Sequence, residues 1–95
     1  MAPSSAALYL LADLSTDDGN DGQARTLHRQ LYRVYPTSAR ATDARFHAAV
    51  IAFASGNFKA AAAEFDSLFT LHPRSDEALA ARFWSARAEA SSGKT

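Results

Sequence analysis

The chain has 95 residues, ten basic side chains balanced by ten acidic ones, and no cysteine. This length sets one small domain as the expectation. The charge balance argues against nucleic-acid or membrane-surface binding, both of which draw on a basic excess; the missing thiols exclude disulfides, thiolate metal sites and cysteine nucleophiles. Composition points to helix, with 22 alanines against two valines and one isoleucine, the best helix former over the usual strand formers.

The first predicted helix covers residues 4–17. Its apolar run, Ala6 to Leu14, is broken by Asp13 and has no basic segment before it, so it reads as a packed helix rather than a secretion signal. No stretch approaches the roughly 20 apolar residues that span a bilayer, and no membrane insertion is expected. The compartment stays open between the cytoplasm and a mature segment of an exported protein. Next comes Asp17-Asp18-Gly19-Asn20-Asp21-Gly22, which has the look of a calcium loop. With Asp17 as first ligand, the third position is Gly19 and the twelfth is His28, where a side-chain oxygen and a bidentate glutamate are required. The segment reads as an interhelical turn, not a metal site.

A second helix, 21–35, carries Ala24, Leu27, His28, Leu31 and Tyr35 on one face. Arg25, Arg29 and Arg33 form a separate stripe with no acid among them, expected to be a solvated outer face that can attract an anion. After Pro36, a third helix, 38–54, starts at the N-cap Ser38. Phe46, Ala49, Val50 and Phe53 lie on one side of it and Ala48, Ile51 and Ala52 on another, so it should be sandwiched between neighbours. The fourth helix, 57–71, presents Phe58, Ala61, Ala62, Phe65, Leu68 and Phe69. The fifth, 75–91, is expected to be capped by Ser75, with Asp76 and Glu77 at its positive end. Gly19, Gly56 and Gly93 follow helix ends, where a left-handed residue is wanted. The ending Gly93-Lys94-Thr95 lacks the glycine that a phosphate loop needs five residues earlier, since Ala88 stands there. His28, His47 and His72 show no ligand spacing. No catalytic residue, cofactor site or metal site emerges.

The punctuation is periodic: Pro36 and Pro73 are 37 residues apart. At that offset Ala41 aligns with Ala78, Ala44 with Ala81, Arg45-Phe46 with Arg82-Phe83, and Ser55-Gly56 with Ser92-Gly93. Likewise Tyr9 aligns with Phe46, Ala12 with Ala49, Gly19-Asn20 with Gly56-Asn57, Ala24 with Ala61, and Leu31-Tyr32 with Leu68-Phe69. The chain therefore reads as two and a half copies of one helix–turn–helix unit, over 1–37, 38–74 and a half copy at 75–95. The expected fold is all-α, an antiparallel helix-pair solenoid of five helices. Ala12, Ala49 and Ala86 should let paired helices approach closely.

Ala44, Phe46, Ala49, Gly56-Asn57-Phe58, Ala61, Phe65, Leu68 and Pro73 make the second unit resemble a tetratricopeptide repeat. In the first unit Asp21 stands at the turn aromatic and His28 at the helix aromatic, so His28 should be a core or groove residue. The 37-residue period makes the chain similar to the repeats of bacterial cell-envelope proteins, namely the Tol-Pal system coordinator and the lipoproteins of outer-membrane protein assembly. The last helix also resembles the helical superhelix of soluble lytic transglycosylases, whose catalytic domain has no counterpart in this sequence. The resemblance implies a non-enzymatic protein-interaction or structural scaffold, periplasmic or in the cell envelope, and part of a longer protein. The alternative it implies is a segment of a peptidoglycan lytic transglycosylase that shapes the enzyme without catalytic residues of its own.

By the same resemblance, a protein or peptide partner would bind the concave face of the first helices, at Tyr9 and Asp13, then Phe46, Val50 and Phe53, then Phe83 and Arg87. Trp84 and Phe83 lie on the last helix. Their apolar side is expected to dock adjacent repeats or a second copy, giving a homo-oligomer through the C-terminal end.

Overall fold

A computed structural model of the chain describes residues 3–93. The described residues form five helices: α1 (Ser5–Asp17), α2 (Asp21–Val34), α3 (Ala39–Ala54), α4 (Phe58–Leu71) and α5 (Ala78–Ser91). Each helix packs against its neighbours in sequence, and α1 also reaches α3. The result is an all-α row of antiparallel hairpins, 45 × 30 × 18 Å.

The turns explain the row. At the end of α3, Asn57 N–H donates to the Ala52 carbonyl at 2.8 Å and Gly56 N–H to that of Phe53 at 3.0 Å. Gly56 takes φ +85°, which closes the helix in the left-handed region that glycine tolerates best. The Asn57 side chain then accepts from Ala60 N–H and caps α4. A single asparagine thus finishes one helix and begins the next. The α1–α2 turn repeats this, with Asn20 N–H donating to the Ser15 carbonyl and its side chain accepting from Gln23 N–H. The acid-rich Asp17–Gly22 segment is this turn. Pro36 and Pro73 act on the other joints. They push Tyr35 and His72 out of helical backbone, to φ −124° and −130°, because a proline ring clashes with a helical predecessor.

The start of α5 departs from expectation. Ser38 accepts from Arg40 N–H and caps α3, but its counterpart Ser75 donates its hydroxyl back to the His72 carbonyl at 2.8 Å. Residues 75–77 therefore form a turn, and α5 begins at Ala78 with no side-chain cap.

Two buried clusters lie along the row. Leu8 from α1 and Leu31 and Tyr32 from α2 pack on Ala41, Ala44 and Ala48 of α3. Ala49 and Ala52 of α3 pack with Ala61, Ala62, Phe65 and Leu68 of α4 and with Ala78, Ala81 and Ala88 of α5. Helix α3 thus has two buried faces, although Ala52 joins Ala49 rather than Ala48. Leu8, Leu31, Phe65 and Leu68 are fully buried, each contributing about 2 kcal/mol of apolar burial. Ala12 and Ala49 have no exposure, as close helix approach requires. Ala86 is exposed instead, since no described helix lies against that side of α5.

Among the described residues no helix is long and apolar enough to cross a membrane. Lys94 and Thr95, the end of the Gly-Lys-Thr segment, lie outside the described residues.

Candidate partner-binding face

The first helices of the units, α1, α3 and α5, meet along one face through side chains that repeat at the 37-residue offset. In the second unit Phe46 of α3 meets Phe65 of α4 edge-on, with ring centroids 5.7 Å apart. Trp84 of α5 meets Phe53 of α3 at 5.3 Å, and Phe53 also meets Phe58 at 5.0 Å. Val50, Phe53, Ala54, Phe65 and Trp84 line a wholly apolar recess of about 120 Å3. Arg87 lies over the Trp84 ring at 5.5 Å and the Phe83 ring at 5.8 Å, within the range where a guanidinium is drawn to an aromatic face.

The equivalent positions in the first unit are polar. Tyr9 stands for Phe46, His28 for Phe65 and His47 for Trp84. Tyr9 and His28 meet edge-on at 5.9 Å, close to the Phe46–Phe65 geometry. His28 and His47 stack at 5.1 Å. Tyr9 donates its hydroxyl to Asp43, and His47 Nε2 lies 3.3 Å from the same carboxylate. The Asp43 bond, reinforced by burial, pushes the Tyr9 phenol up to about 12. His28 is 1% exposed and its Nδ1 has no partner. Burial, with the His47 charge adding to it, pulls the His28 imidazole down to about 4 against the weaker opposing pull of Asp13 and Asp43. The expectation of a core histidine at this repeat position describes its surroundings.

The candidate residues therefore divide. Phe46, Val50 and Phe53 gather around or beside the apolar recess, and Phe83 and Arg87 border it through Trp84. Phe83 is 57% exposed and Val50 40%, while Phe46 and Phe53 are half-buried. Tyr9 belongs to the histidine cluster, with the exposed Asp13 near it. The aromatic floor is thus two patches, one polar and one apolar. Spacing along the chain does not bring out the His28–His47 stack, since the two residues belong to different helices. The signals available were the four-residue spacing of Asp43 and His47, and the offset that sets His47 opposite Trp84. Among the described residues, no group of three or more His, Cys, Asp or Glu is arranged to hold a metal ion.

The arginine stripe is also not uniform. Arg25 reaches across to Glu64 of α4 at 2.5 Å, and Arg29 lies 3.8 Å from the same oxygen. Side-chain exposure is 21% for Arg25 and 11% for Glu64, so this end of the stripe is an interhelical tie rather than a solvated face. Arg33 stays exposed. Burial raises the Glu64 carboxyl above its ordinary value despite the opposing Arg25, Arg29 and Arg45 charges.

No known protein-family model matches the chain, and no curated protein matches its sequence.

Proposed function

We propose that this chain is a non-enzymatic, tetratricopeptide-like scaffold that holds a protein or peptide partner on the face shared by its first helices. The observation that carries this reading is the apolar recess between α3, α4 and α5 with Arg87 at its border. A recess of this size accepts one aliphatic side chain, and Arg87 supplies a cation for a nearby carboxylate. That combination suits a short peptide anchored by one apolar residue next to an acidic one. The bacterial cell envelope is the setting implied by the repeat likeness.

The test uses the fluorescence of Trp84, the single tryptophan in the chain. Titration with a peptide library of apolar-acidic pairs should shift the emission and saturate. Val50→Phe, which fills the recess without adding a second tryptophan, should abolish that response while leaving the helical circular dichroism intact. Binding that survives Val50→Phe unchanged would remove the recess from the reading.

A further inference from the structure

The side of α5 turned away from α4 is uncovered; at the repeat positions of α3 it keeps Phe83 for Phe46 and Ala86 for Ala49, but sets Leu79 for Thr42 and Ala90 for Phe53. Ala78, Ala81, Ser85 and Ala88 are buried against the protein's own core. Leu79, Phe83, Ala86 and Ala90 form the opposite stripe at spacings of four, three and four residues, all exposed, with Leu79 at 80% and Phe83 at 57%. That spacing is the a/d seam of a coiled coil over two heptads. Arg82 and Glu89 each precede a seam residue by one position and so flank the same edge. Neither makes an ion pair among the described residues.

We infer that this stripe is the contact surface of a symmetric homodimer in which α5 pairs antiparallel with the α5 of a second copy. A two-fold axis crossing the helix between Trp84 and Ser85 sets Phe83 against the second copy's Ala86, and Leu79 against its Ala90. Each large side chain then meets a small one. The same axis brings Arg82 beside the second copy's Glu89, twice by symmetry, as an isologous interface requires. A parallel pairing would instead set Arg82 near the second copy's Arg87, since flanking positions five residues apart face each other there, and like charges would meet.

A further repeat helix fits the stripe less well. At the position of Glu89 the preceding units carry Ala52 and Ser15, both buried under their second helices. A helix packed on α5 as α4 packs on α3 would bury the Glu89 carboxylate, which is costly unless that helix brings a cation to it. In the dimer Glu89 stays at the solvated edge and faces an arginine. One two-heptad seam is small, so the association should be micromolar or weaker. The seam includes Phe83, which meets Trp84 beside the recess, but none of the recess-lining residues Val50, Phe53, Ala54, Phe65 and Trp84, so failure of one reading leaves the other standing.

Sedimentation equilibrium over a wide concentration range tests it, with helical content checked by circular dichroism. The chain should move between monomer and dimer. E89R alone and R82E alone should each weaken dimerisation about tenfold, because both symmetric contacts become repulsive. An equimolar mixture of the R82E and E89R chains should recover the original affinity, since every flanking contact becomes attractive again. F83E, at the seam itself, should leave a folded monomer. A monomer at every concentration, association indifferent to E89R, failure of the mixture to recover, or loss of association on L11E in α1 would each overturn the proposal.

Discussion

Replacing His28 with phenylalanine should free the protein of much of its acid sensitivity. His28 sits in the first unit where Phe65 sits in the second, with nearly the same edge-on contact to the preceding helix. In the folded protein its proton is bound only near pH 4, against an ordinary value of 6.5. Between those values the unfolded chain holds more protons than the folded one, so stability falls as pH falls from about 6.5 toward 4, and this group adds nothing further below that. At about 1.4 kcal/mol per unit the full loss is about 3 kcal/mol, with about 2 kcal/mol of it reached by pH 5. For a domain whose total stability is on the order of 5–15 kcal/mol this is a large fraction. Urea denaturation of the wild type and His28→Phe at several values between about pH 7.5 and 4.5 provides the assay. The nearby Asp13, Asp43, His47 and Tyr9 remain in both proteins, so the difference between the two curves isolates His28. The difference should widen by about 2 kcal/mol between neutrality and pH 5 in favour of the variant. Parallel curves would refute the reasoning, because they would mean that the buried ring takes up its proton as easily as an exposed one.

Backbone conformation makes two glycines respond in opposite directions. Gly56→Ala should cost about 1 kcal/mol, since φ is +85° and no neighbouring atom lies within 4 Å to blur the conformational term. Gly22→Ala, inside α2 and equally uncrowded, should stabilise by about 0.5 kcal/mol; thermal melting of both variants reads the contrast. Asn57→Ala removes the cap of α4 and should lower stability by about 1 kcal/mol in urea titration. Glu64→Ala leaves Arg25 without its partner in a largely buried position and should cost about 2 kcal/mol, while Arg25→Met combined with Glu64→Leu should recover most of that loss, as a double-mutant cycle would measure.

Helix number and order were legible because glycines and prolines recur at one fixed interval, and each has a local steric consequence that needs no tertiary information. The boundaries of α1 to α4 follow from the same local rules. The start of α5 did not, since Ser38 and Ser75 look alike in sequence and differ only in where the hydroxyl turns. Side-chain pairs that bridge separate helices were the least legible. Arg25 and Glu64 lie 39 residues apart, and the acid nearest the arginine stripe in sequence is Asp21, four residues before Arg25. His28 and His47 come together because α2 and α3 are neighbours, which the repeat offset encodes and ligand-style spacing ignores. Val50, Phe53 and Trp84 combine into a recess for the same reason, one helix pair further along.

The asparagine turns have a kinetic and mechanical consequence. Because Asn20 and Asn57 each end one helix and start the next, each helix packs mainly on its sequence neighbours, and the partners along the row lie within roughly one repeat of each other. Little loop entropy is then lost before contacts form, so the chain belongs with rapidly folding helical topologies. Pulled by its ends, such a row has no distant strand or crossover to clamp it. It should come apart one hairpin at a time, from an end inward, at low force.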